Sequence, residues 1–144
     1  MTPDEATAQG SAPGPLMVAE VMARATTTGK LRDHVAAAAY LMKREQTSAL
    51  VILSAPTGRI AGIVTDTDVA NVVADGKDVN QVRIGEVMKL EPAVVGRHAS
   101  IQEAAELMVA RQVRQLPVVD DSGEVVGIVD IAAACRCLLS EGGQ

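Results

Sequence analysis

The sequence predicts an α/β (α+β) fold of two tandem repeats that face each other across a pseudo-twofold axis. Three observations lead to it. First, the chain is written twice. "AEVM" at 19–22 returns as "GEVM" at 85–88, "VAAAAYLM" at 35–42 lies over "IQEAAELM" at 101–108, and "SALVIL" at 48–53 over "RQLPVV" at 114–119, all at an offset of 66. "GRIAGIVT" at 58–65 matches "GEVVGIVD" at 123–130 at an offset of 65, so the first copy carries one extra residue in its "SAPTG" turn. A register held this long, with its gap in a turn, marks an internal repeat. Second, each copy passes from helical apolar spacing to β-branched runs, so each supplies both helix and sheet. Third, 144 residues that are 48% apolar can build a sizeable core, although each unit of about 60 residues is too small to stand comfortably alone. The units should therefore pack sheet to sheet.

The elements follow in order. "MTPDEATAQGSAPGP", residues 1–15, is acidic, small and rich in Pro and Gly, and reads as a disordered tail. The first repeat spans 16–80 and the second 81–140. A helix is expected over Asp33–Gln46, capped by Asp33, and its counterpart over Ser100–Gln112, capped by Ser100 with Glu103 three residues on. Strands follow at Leu50–Leu53 and Pro117–Val119, then a Gly-containing turn, then strands at Ile60–Val64 and Val125–Val129 as hairpin partners. A short helix closes each unit, Asp66–Val73 and Ile131–Leu139.

Composition narrows the function. The net charge of −5, with scattered basic residues, argues against a nucleic-acid surface, and without Phe or Trp no base can stack on such a ring. The longest apolar run, Val35–Met42, falls far short of the roughly 20 residues that span a bilayer. With no signal-peptide pattern, a soluble cytoplasmic protein is expected. Cys135 and Cys137, two apart on a helix, make a poor disulfide and a poor metal clamp, and are expected as buried or half-buried thiols with no metal bound. Phosphate-loop and nucleophile-elbow motifs are absent, and His34 and His98, expected in solvent, have no partner nucleophile, so no catalytic residue is assigned.

Two units with "EVM" at the start, "ALVIL"/"QLPVV" in the middle and "GIVTDTD" at the end resemble a pair of CBS (cystathionine-β-synthase) domains, a Bateman module, which is expected here to stand alone with no enzyme or channel attached. The resemblance covers Val18–Leu139 and implies β-α-β-β-α repeats. It also implies an adenosine ligand (AMP, ADP, ATP or S-adenosylmethionine) in a cleft between repeats, a regulatory role on a protein effector in trans, and a homodimer. The dimer should pair through helix faces carrying Val35, Ala38, Ala39, Met42, Leu107 and Met108.

Thr65 and Asp68 have the spacing of a capping box, which any helix can use. By resemblance, the run Gly62, Ile63, Val64, Thr65, Thr67, Asp68 is also a ligand motif. Asp68 would accept from the ribose hydroxyls, while Thr65 and Thr67 donate toward the phosphate beside free helix amides. The same resemblance places the adenine between Ser48, Ala49 and Leu50 on one side and Pro92, Ala93 and Val94 on the other. Arg114 and Lys89 are left to supply charge, and together with Asp66 they favour AMP over ATP. In repeat 2, Asp130 replaces Thr65 and Ala133 replaces Asp68, so that copy is expected to be scaffold. The alternative is a dimeric interaction module that binds no nucleotide.

Overall fold

Two long helices begin for different reasons. Ser100 accepts from the Glu103 amide (3.0 Å) while Glu103 accepts from the Ser100 amide (2.8 Å), so α4 (Ile101–Arg111) starts on the expected capping box. Its counterpart α1 (Val35–Glu45) has His34 at its cap position and no side-chain cap. The amides of Val35 and Ala36 instead donate to the carbonyls of Val82 (2.8 Å) and Val79 (2.9 Å). A backbone loop does the work assigned to Asp33, whose own carbonyl accepts from the Ile84 amide.

The computed structural model describes residues 16–24, 28–55 and 57–142, so the expected tail at 1–15 lies outside the described residues. After a 3-10 turn at Val18–Glu20 come β1 (Ala23–Arg24) and α1, then the hairpin β2 (Ala49–Leu53) and β3 (Ile60–Thr65), and α2 (Asp66–Ala74). The second copy runs α3 (Ile84–Val87), β4 (Lys89–Leu90), β5 (Val95–Gly96), α4, β6 (Gln115–Val119), β7 (Val125–Asp130) and α5 (Ile131–Gly142). The hairpins close at Ser54–Arg59 in the first copy and at Asp120–Glu124 in the second, so the extra residue does sit in the first turn. At the tighter turn the Ser122 hydroxyl and the amides of Glu124 and Ser122 hold the Asp120 carboxyl below its usual range.

Each repeat completes the other's sheet. The order is β2-β3-β4 in one sheet and β1-β7-β6-β5 in the other, so β4 of repeat 2 pairs with β3 of repeat 1, and β1 of repeat 1 pairs with β7 of repeat 2. The cores are exchanged in the same way. Val18 is fully buried among Ile101, Met108, Leu116 and Val129, while Ile84 is fully buried among Met42, Leu50, Ile52 and Val64.

This crossing accounts for the two repeated motifs together. A Cβ on Gly62 would lie 2.6 Å from the Lys89 carbonyl and 2.9 Å from Met88 Sδ; one on Gly127 would lie 2.6 Å from both the Ala23 carbonyl and Met22 Sδ. Real Cβ atoms do not approach so closely. The glycine of each "GIV" therefore makes room for the "VM" and following residue of the other repeat.

The expected dimer face needs correction. Val35, Ala38, Met42 and Met108 are buried within the chain, and Ala39 and Leu107 are half-buried, because these helices spend that face on their own sheets. The large apolar side chains left in solvent on helices are Tyr40 (61% exposed), Val73 (63%), Val109 (72%) and Leu139 (75%). Cys135 is exposed rather than buried, Cys137 is half-buried, and both are free thiols. His98 is exposed as expected, whereas His34 is half-buried at the start of α1, bridged to Arg83.

Candidate functional site

The crossing of β4 onto β3 carries the chain directly into a cleft. Its residues are Ile63, Thr65 and Thr67 from repeat 1 with Lys89–Ala93 and Arg111–Gln115 from repeat 2, around about 310 Å³. That volume is at the lower end of small-molecule sites, which run from roughly 300 to 1,000 Å³. The walls are aliphatic, from Ile63, Leu90, Pro92, Ala93 and Val113, and the charged residues of the lining are Lys89, Arg111, Arg114 and Glu91.

Two of the lining residues, Glu91 (φ 49°) and Gln112 (φ 58°), adopt left-handed backbone that non-glycine residues seldom take. Gln112 ends α4 and turns Val113–Gln115 across the cleft. Neither residue type announces that geometry in sequence. Leu90, Glu91, Arg111, Gln112, Val113 and Gln115 were accordingly absent from the expected site.

Of the expected residues, Ile63, Thr65, Thr67, Lys89, Pro92, Ala93 and Arg114 line the cleft together. Four others do not. Ala49 is fully buried, paired with Thr65 in the sheet, and Val94 is 39% exposed beyond the cleft wall. Ser48 is taken up by Gln115, whose side-chain amide donates to its hydroxyl at 2.6 Å and ties the two repeats together.

Asp68 is the fourth, and its geometry is informative. It is only 8% exposed, and its Oδ2 accepts from the Thr65 amide (2.9 Å) and the Thr65 hydroxyl (3.1 Å). The Thr65 hydroxyl in turn accepts from the Asp68 amide at 3.2 Å, so the capping box is complete. Asp68 Oδ1 lies 3.8 Å from Lys89 Nζ, which lines the cleft. Asp68 itself lines an adjoining hollow with Asn71, Val72, Asp75, Lys77 and Val87.

The first amides of α2 are not free for a phosphate. Asp66 donates to the Ser48 carbonyl (2.9 Å), Thr67 to Asp66 Oδ1 (2.8 Å) and Asp68 to Thr65 Oγ1. The Thr65 hydroxyl proton is directed at Asp68. The Thr67 hydroxyl instead accepts from Arg114 Nη2 (3.2 Å), which leaves its own proton to donate into the cleft. The donors the cleft offers an anion are therefore those of Thr67, Arg114, Arg111 and Lys89 rather than the helix end.

In repeat 2, Asp130 Oδ1 accepts from the Ala133 amide at 2.7 Å, a simple cap with no second partner returned. Ala133 lines a hollow with Leu16, Glu20, Val21, Arg136, Cys137 and Ser140, the symmetry counterpart of the hollow beside Asp68. The counterparts of Glu91, Pro92 and Ala93 are Ala25, Thr26 and Thr27, which lie outside the described residues. Among the described residues no group of three or more His, Cys, Asp or Glu side chains is placed to hold a metal ion, and no helix is long and apolar enough to cross a membrane.

With this geometry in place, comparisons locate the chain among known proteins. The CBS domain family model matches residues 17–75 and 84–140. An uncharacterized protein of Methanopyrus kandleri is 34% identical over 113 residues, 78% of this chain and 57% of that protein, so the chain spans little more than half of that relative. The CBS domain-containing protein YhcV of Bacillus subtilis is 33% identical over 113 residues, 78% of each chain. In fold, a CBS domain protein of Pyrobaculum aerophilum, solved as a complex with AMP, superposes with a TM-score of 0.79 at 20% identity, covering 90% of this chain and 100% of that one.

Proposed function

This chain belongs to the CBS domain family, and from that premise we propose that it is a regulatory module that binds one adenosine compound, AMP or a close relative, between its repeats and acts on a protein effector in trans. The observation that carries the reading is the cleft itself. Aliphatic walls drawn from both repeats share the cleft with Thr67, Glu91 and three basic side chains, groups that a base, a sugar and a phosphate can use. The AMP bound by the Pyrobaculum aerophilum protein supports the same ligand class on the same fold. ADP, ATP and S-adenosylmethionine belong to that class, and a monophosphate suits the few cations best.

The ribose falls to Asp68. Oδ2 is committed to Thr65, but among the described residues Oδ1 meets Lys89 at a long 3.8 Å. Moving the exposed Lys89 toward a phosphate would free Oδ1 to accept from a ribose hydroxyl. The Thr65 cap and the ligand contact then use different oxygens of one carboxylate.

A second reading rests on a specific observation. The capping box and the leading α2 amides are satisfied without any ligand, as in a module that acts by association alone. Calorimetric titration of adenosine and AMP separates the two. One equivalent bound per chain is expected, because in repeat 2 Asp130 would repel a phosphate and Ala133 offers a ribose no acceptor. No heat with either compound leaves the association reading, and two equivalent sites overturn the asymmetry.

Homodimerisation is part of the proposal, now through the exposed Tyr40, Val73, Val109 and Leu139 rather than the buried helix faces. Light scattering should give twice the chain mass at micromolar concentration, falling to one chain when Val109→Glu and Leu139→Glu are combined. A wild-type monomer at that concentration contradicts it.

A further inference from the structure

One contact in the cleft joins residues 48 apart in sequence and has the wrong sign for a nucleotide site. Arg114 Nη2 donates to Asp66 Oδ1 at 2.8 Å and to Thr67 Oγ1 at 3.2 Å, and the same Asp66 oxygen accepts from the Thr67 amide at 2.8 Å. Arg114 and Thr67 line the cleft, and Asp66 does not. Arg114, a cation that could meet a phosphate beside Thr67, is thus already held on a carboxylate that belongs to the protein and that also takes the Thr67 amide. We propose that Asp66 is a specificity-determining residue, a built-in anion that a ligand's phosphate must displace from Arg114. Asp66 then trims the cleft's affinity by ligand charge, costing neutral or cationic adenosine compounds nothing, AMP a moderate amount and ATP more. The inference rests on the adenosine reading above and deepens it.

The fold does not need this acid. Repeat 2 carries Ile131 at the matching place, where the Ile131 amide donates to the Arg114 carbonyl (2.8 Å) just as the Asp66 amide donates to that of Ser48 (2.9 Å). The helix therefore starts equally well on an apolar residue. The Arg114–Asp66 pair is half exposed, with side-chain exposures of 57% and 50%, so its strength is moderate and screened by salt. A like charge a few ångströms from a phosphate is worth about a three- to tenfold change in affinity at surface dielectric.

The test is calorimetric titration of adenosine and AMP into the full chain and its Asp66→Asn and Asp66→Ile variants, at low salt and at 1 M salt, where screening reaches about 3 Å. Both variants should tighten AMP about three- to tenfold at low salt and leave adenosine within about twofold. The gain should shrink at high salt. Adenosine binding with AMP unaffected by either variant overturns the role of Asp66, as does equal tightening of both compounds. If neither compound binds any of the proteins, the adenosine reading falls, and this inference falls with it.

Discussion

Asp68→Ala should weaken adenosine-ligand binding about 30- to 1,000-fold, the equivalent of ~2–4 kcal/mol, while lowering stability by ~1–3 kcal/mol. The stability loss exceeds that of an exposed cap, ~0.5–1 kcal/mol, because the Thr65 amide is buried and its acceptor is Asp68 Oδ2 at 2.9 Å. The binding loss comes from the other oxygen, Oδ1, which Lys89 approaches but does not grip. Chemical denaturation and calorimetry on the same variant separate the two. A stability loss of the expected size with unchanged AMP affinity would make Asp68 a cap and nothing more, and would favour the association reading.

The second large effect comes from the glycines under the crossing strands. Gly62→Ala and Gly127→Ala should each cost about 1–3 kcal/mol, since the new methyl meets a backbone carbonyl 2.6 Å away that cannot rotate out of reach. Their functional consequences should differ. Displacing β4 from Gly62 moves Lys89 and the chain leading to Pro92 and Ala93, so Gly62→Ala should lose adenosine binding at temperatures where it is still folded. Gly127 seats β1, which contributes no residue to that cleft, so Gly127→Ala should be equally destabilised yet keep its affinity. Equal binding losses in both variants would mean that the two crossings act as one unit.

Much of the fold was legible because the signals are local. Thr65–Asp68 and Ser100–Glu103 each carry a complete cap within four residues, and both boxes form as expected. The hairpin strands extend the expected ones by a residue or two, and the residues added at their starts, Ala49, Gln115 and Leu116, are as buried as those that follow. Asp33 misled because its residue type suits a cap, whereas the actual acceptors are the carbonyls of Val79 and Val82. Every residue has a carbonyl, so nothing in the sequence marks the two that a distant helix will use. The helix faces misled for a related reason: an apolar stripe shows that a face is covered, without saying whether its own sheet or another chain covers it.

The site divides along the same line. By itself the sequence determined the duplication, the apolar skeleton of both copies, the motif at Thr65–Asp68 and its loss in repeat 2. Only the tertiary structure decided that β4 crosses to the other repeat, that Arg111–Gln115 turn into the cleft on a left-handed Gln112, and that Arg114 closes on Asp66 and Thr67. The physical reason is the range of the forces involved. Periodicity and capping act within a turn or two of chain, so residue type and spacing encode them. An ion pair or hydrogen bond between residues 48 apart depends on where two backbones happen to pass, and residue type carries no record of that path.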